Sequence, residues 1–160
     1  MDTSRARQPH SRLSAAEFTI LGLIAATAGT RGVHGYDLNR HLGEGPLAEV
    51  IRLEPGMLYH YLRKLERLGL ISTTVVPQTA RPDRRLHALT DDGRACLRAW
   101  LAEPVHATRE LRLEFLLKLW FARTLDPERA RTLVRDQQAV VDRLIASLRE
   151  QLANTGDRTD

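Results

Sequence analysis

Apolar positions along the chain group into stretches of helical spacing, interrupted once by a pair of β-patterned runs. Ser14-Ala15-Ala16-Glu17 has the form of a capping box: the serine satisfies a free N–H and the glutamate reaches back. The helix it opens, to about Ala28, carries Phe18, Ile20, Leu21, Leu23, Ile24 and Ala25, more than one stripe on a small core requires. A second face packed on another subunit is therefore expected. Thr27-Ala28-Gly29 closes the helix, and after a loop at 32–35 a brief helix over 36–42 is expected to bury Tyr36, Leu38 and Leu42. The connection at 43–53 contains Pro46 and a turn of helix at 47–51.

The most informative stretch follows. Glu54-Pro55 reads as a helix entrance, because proline at the first helical position loses no hydrogen bond. Leu58, Leu62, Leu65 and Leu68 form one apolar stripe, and Gly69 suits the left-handed position that ends a helix. Met57, His60, Tyr61, Arg63, Lys64 and Arg67 occupy the opposite face. The β-branched run at 72–76 and the weak alternation at 85–89 then flank a segment of turn composition, Pro77 to Arg84. A helix, a second helix, a charged third helix and a β-hairpin in that order describe a winged helix-turn-helix, whose charged helix enters the DNA major groove.

Beyond the hairpin, Thr90-Asp91-Asp92 caps a helix with Cys96, Leu97, Trp100 and Leu101 that ends before Pro104. Residues 109–124 form a strongly apolar helix, and Asp126-Pro127-Glu128 starts a last, long one. Its stripe runs Ala130, Leu133, Val134, Gln137, Val140, Val141, Leu144, Ile145, Leu148, Leu152. A helix of this length needs a partner helix, and an identical chain is the economical source. The wandering three- and four-residue spacing predicts an antiparallel or crossed dimer arm, with Leu133, Val134, Val141, Leu144, Ile145 and Leu148 at the seam. The fold class is thus mainly α with a small β-hairpin. It divides into a flexible arm at 1–12, a winged domain at 13–104, a helical dimerisation region at 105–153 and a disordered tail at 154–160.

Charge changes the picture by its placement. The chain is 42% hydrophobic with a formal net charge of +4, ordinary for a globular protein. Within 52–85, however, Arg52, Arg63, Lys64, Arg67, Arg81, Arg84 and Arg85 face only Glu54, Glu66 and Asp83. The cationic surplus sits on the charged helix and hairpin, so a polyanionic partner is expected there. Arg5, Arg7 and Arg12 lie in the terminal arm, where fraying competes with a phosphate contact. No apolar run is long enough for a bilayer, residues 1–12 contain no export signal, and the single cysteine, Cys96, fits a reducing cytoplasm. Cys96 reads as a buried structural thiol rather than a redox sensor. The six histidines show no paired metal spacing, and no nucleophile triad, phosphate loop or dinucleotide fingerprint is present, so no metal, cofactor or enzyme activity is expected.

Pro55-Gly56-Met57-Leu58-Tyr59, with Leu62, Leu65, Glu66 and Gly69-Leu70-Ile71, resembles the signature of the PadR family of transcriptional regulators. Gly35-Tyr36-Asp37-Leu38 and Leu89-Thr90-Asp91-Asp92-Gly93 match further hallmarks, so the resemblance runs from about Leu21 to Gly93. It implies a homodimeric repressor of a nearby gene that binds a double-stranded DNA operator. Tyr59, Arg63 and Lys64 would engage DNA, with Gly56, Met57 and His60 near base edges and Arg81, Arg84 and Arg85 on the wing. The chain departs from the family pattern at Glu54 (usually serine), at Met57 (usually threonine), and at Leu86-His87, which stand where an aromatic pair is usual. Relatives respond to phenolic acids or lipophilic drugs, which makes Trp100, Phe115, Trp120 and Phe121 candidates for an apolar or aromatic effector; the alternative is plain core. A winged module that binds protein instead of DNA is the rival reading.

Overall fold

The computed structural model describes residues 13–28, 32–44, 46–77, 84–106 and 111–156. The expected arm at 1–12, Gly29, Arg81 and residues 157–160 lie outside the described residues. The chain forms two compact units, Met1–Trp100 and Leu101–Asp160.

The first unit is built around α1 (Ala15–Thr27). Its capping box forms as the sequence indicates: Glu17 N–H donates to Ser14 Oγ at 3.4 Å, and Glu17 Oε2 accepts the Ser14 N–H at 2.8 Å. Every residue from Glu17 to Ile24 is buried. The helix is enclosed by α2 (Gly35–Gly43), α4 (Pro55–Arg67) and β3 (Arg84–Leu89), and the Phe18 ring stacks on Trp100 with centroids 4.5 Å apart. The expected subunit-facing surface of α1 is therefore corrected: the unit's own elements cover both apolar faces.

A two-residue strand, β1 (Val33–His34), precedes α2, and the short helix α3 (Pro46–Val50) joins α2 to α4. β2 (Ile71–Val76) and β3 pair antiparallel, with Ile71 opposite Leu89 and Val76 opposite Arg84. β1 adds to the other edge of β3, giving the order β1-β3-β2. The hairpin is thus one part of a three-stranded sheet, because two residues are too few to reveal alternation in sequence. Two side chains differ from expectation. Tyr36 is 72% exposed rather than buried, and Leu68 caps α4 in solvent while Leu58, Leu62 and Leu65 carry the stripe. Gly69 at φ 71° takes the left-handed turn that ends α4.

The junction into α5 (Asp91–Ala102) explains the Thr90–Gly93 motif. Thr90 Oγ1 donates to the Gly69 carbonyl at 2.6 Å and accepts the Gly93 N–H at 3.0 Å, while Thr90 N–H donates to the Leu70 carbonyl. A Cβ at residue 93 would lie 1.9 Å from that same Leu70 oxygen.

The second unit contains a π-helical turn (Leu111–Phe115), α6 (Leu116–Leu125) and α7 (Pro127–Gly156). Asp126 separates the last two and accepts the Arg129 N–H at 3.1 Å. Ala122, Ala130 and Leu133 form a buried cluster against which Phe115 and Leu119 pack. Leu133, at 1% exposure, is core and not seam: the first half of α7 already has a partner in α6. Gln137 is also buried; its amide accepts the Val105 N–H at 2.7 Å and donates to the Val105 carbonyl at 2.8 Å. The buried ammonium of Lys118 donates to the Glu103 carbonyl at 2.6 Å and pairs with Glu114 at 3.0 Å. α7 runs to Gly156, beyond the point where the sequence suggests a tail.

Candidate nucleic-acid interface

Helix α4 starts after Glu54, whose side chain makes no capping bond, with Pro55 in the first turn. Burying Leu58, Leu62 and Leu65 turns Gly56, Met57, Tyr59, His60, Arg63 and Arg67 outward, all of them exposed. Tyr59 is 51% exposed and leans on the start of α2: a Cβ at residue 35 would be 3.1 Å from Tyr59 Cε1. Gly35 therefore permits this ring position, which gives the Gly35-Tyr36 motif a physical meaning. Tyr36, Tyr59, Arg63, Glu66, Arg84 and Arg85 line a depression of about 540 Å³ between α2, α4 and β3. Arg84 and Arg85 leave the sheet opposite Val76 and Val75. Among the described residues, Arg63, Arg67, Arg84 and Arg85 are exposed and have no ion-pair partner, and Arg52 does not neutralise Glu54.

Lys64 departs from this set. Its ammonium lies 2.6 Å from Oε1 of Glu17, a residue 1% exposed. Oε2 of the same carboxylate accepts both the N–H and the hydroxyl of Ser14. Burial pushes the Glu17 carboxyl up, but the Lys64 ammonium and the Ser14 donors outweigh it, and the group is held below the ordinary carboxylate range. Lys64 thus differs from the other expected DNA-contact residues in having an interior ion-pair partner, while its side chain remains 37% exposed. A sequence signal existed: an acid inside an otherwise apolar helix requires a cation.

His87, in the middle of β3, is buried and hydrogen-bonds Thr73 Oγ1 through Nδ1 at 3.1 Å. Burial holds its imidazole below the usual range; Arg85 and His34 act in the same direction and Glu66 opposes them. Burial pushes the Cys96 thiol up, consistent with an inert structural residue. Among the described residues no cluster of three metal-ligating side chains occurs.

Of the effector candidates, Trp100 and Phe121 are buried and Phe115 and Trp120 half-buried. Trp100 stacks on Phe18 in the first unit. In the second, Phe115 packs on the Ala122–Leu133 cluster and Phe121, fully buried, meets Trp120 edge-on at 4.8 Å. Sequence reasoning missed a separate open depression on the second unit, floored by Leu119, Ala130 and Val134 and rimmed by Arg123, Arg131 and Arg135. Of the proposed seam, Val134, Ile145 and Leu148 are exposed, and Val141 and Leu144 half-buried.

Comparison with known proteins bears on this geometry. The model of the Transcriptional regulator PadR-like family matches residues 20–99, half of the chain. A probable transcriptional regulator of Mycobacterium tuberculosis is 42% identical over 52 residues, 32% of this chain and 28% of that protein. The negative transcriptional regulator PadR of Bacillus subtilis is 27% identical over 121 residues, 76% of this chain and 64% of that one. The chain thus spans less than two thirds of either relative. Its fold is that of B. subtilis PadR crystallised with operator DNA, at a TM-score of 0.54 and 23% identity, over 92% of this chain and 79% of that one. The family match covers α4 together with the Gly35-Tyr36 and Thr90–Gly93 junctions, and the chain belongs to the PadR-like family of transcriptional regulators.

Proposed function

We propose that the chain is a homodimeric, sequence-specific DNA-binding regulator that represses a nearby gene in the cytoplasm and is released by a small apolar or aromatic effector. The observation that carries the DNA reading is the set of exposed arginines without ion-pair partners, Arg63 and Arg67 on α4 and Arg84 and Arg85 on β3, three of which line one depression. On this surface the first residues of α4, Gly56, Met57, Tyr59 and His60, face base edges, and the arginines meet phosphates. Residues 13–104 read DNA and residues 105–153 join two copies. The exposed Val134, Ile145 and Leu148 support that division, since an apolar stripe along a solvent-facing helix is stabilised by covering it. The arginine-rimmed depression of the second unit is an open apolar surface on which an effector would act, beside the half-buried candidates Phe115 and Trp120.

A gel shift on the DNA upstream of the gene tests the reading. Replacing Arg63 or Arg85 with alanine weakens binding and flattens the log–log salt dependence by about 0.9 for each phosphate that is no longer neutralised, hence by about twice that for two copies. Unchanged affinity and slope in both variants refute DNA binding through this face and favour a protein partner for the module.

A further inference from the structure

The pair between Glu17 and Lys64 joins the most enclosed helix of the first unit to the one that carries the proposed base contacts. Two hydrogen bonds from Ser14 hold Oε2, and Oε1 faces the Lys64 ammonium at 2.6 Å as an ion pair. Because Ser14 and Glu17 belong to the same capped turn, the carboxylate is fixed to the backbone of α1. The other inward side chains of α4, Leu58, Leu62 and Leu65, are apolar and buried, and α4 packs against α1. The leucine stripe fixes which side of α4 turns inward, but apolar attraction is non-directional and leaves the stripe covered through rotations of a fraction of one residue's arc. The 2.6 Å ion pair selects among those small rotations, because turning α4 moves the Lys64 ammonium away from a carboxylate that has no access to water. Met57 and Tyr61 share the Lys64 flank of α4 and Tyr59 and Arg63 the other, so the same rotation changes which side chains lead outward.

We infer that Lys64, through Glu17, is a positioning residue that sets the rotation of α4 and thereby the base discrimination of the protein, without touching DNA itself. The inference rests on the DNA-binding reading above and deepens it. It predicts that discrimination and electrostatic affinity separate on substitution. Non-specific binding depends on the exposed arginines and not on the exact rotation of the helix. Specific binding requires that rotation.

The experiment uses the full chain with two duplexes: one selected by the wild-type protein from a randomised pool, and a scrambled duplex of the same composition. Glu17→Gln keeps the capping box, since glutamine serves at that position, and removes only the charge. Lys64→Met keeps the length and apolar stem. Each single variant is expected to lose about tenfold in preference for the selected duplex, the discrimination of one displaced base-reading side chain. Affinity for the scrambled duplex and its salt slope stay at wild-type values. The double variant leaves no unpaired buried charge, so its unfolding midpoint recovers while its preference stays low.

A flatter salt slope on the scrambled duplex for Lys64→Met overturns the inference, since it makes Lys64 a phosphate ligand. Unchanged preference in both single variants also overturns it, and so does recovery of preference together with stability in the double variant, which would make the pair structural only. A wild-type protein that enriches no duplex from the randomised pool removes the DNA reading itself, an outcome separate from the other three.

Discussion

At the residue scale, a few polar groups enclosed in the first unit carry consequences out of proportion to their number. Burial beside Thr73 pushes the His87 pKa down; Arg85 and His34 act in the same direction and Glu66 opposes them. Because its pKa is lower in the folded than in the unfolded chain, its contribution to stability is fully present above the unfolded value, about 6.5, and is lost as the pH falls through the folded one. Denaturant midpoints of the wild-type protein are therefore expected to fall from about pH 7 downward, and His87→Leu to flatten that decline. An equal decline in the variant would assign the acid sensitivity to other groups. Lys118 and Gln137 play comparable parts in the second unit, where side chains pair with the backbone of Glu103 and Val105. A buried carbonyl or N–H left without such a partner costs about 1–3 kcal/mol.

At the element scale, the junction between α4, the sheet and α5 is where backbone approaches backbone most closely. Leu70 donates its N–H to the Leu65 carbonyl, and its own carbonyl receives the Thr90 N–H. Residue 93 sits directly over that carbonyl, with no room for a Cβ. Gly93→Ala is expected to destabilise the protein by about 1–3 kcal/mol, read as a lower urea midpoint with an unchanged slope. The cause is that the obstructing atom is backbone and cannot swing aside. A midpoint at the wild-type value would mean that α5 shifts at no cost. Gly35 is the milder case: its neighbour is the edge of the Tyr59 ring, a side chain that can yield.

At the scale of the whole molecule, the proposed DNA surface and the proposed seam belong to different units. The unpaired arginines of α4 and β3 lie in the first, and the exposed Val134, Ile145 and Leu148 in the second. If the second half of α7 joins two copies, Ile145→Glu with Leu148→Glu places two charges in that seam. The sedimenting mass is then expected to halve, and operator affinity to fall because the two half-sites no longer bind together. A double variant that sediments as the wild type does would move the proposed interface elsewhere. The sequence made the division into a basic half and an apolar tail legible, because clustering of charge in 52–85 needs no coordinates to be seen. It was less informative about supply and demand between elements: the surplus of apolar residues on α1 suggested a second subunit, whereas α2, α4 and β3 absorb it.

Helix starts, the stop at Gly69, the hairpin and the stripe of α4 followed from residue order, since capping, proline geometry and three- to four-residue spacing act between near neighbours. Folding decided which side chains remained available. Lys64 gained an interior partner in Glu17, Leu133 was covered by Ala122 and Ala130, and Tyr36 was released to solvent. The strand at Val33–His34 exists only because β3 presents an open edge. In each case the decisive partner lies far along the chain or in the arrangement of whole elements, and periodicity within one segment carries no record of it.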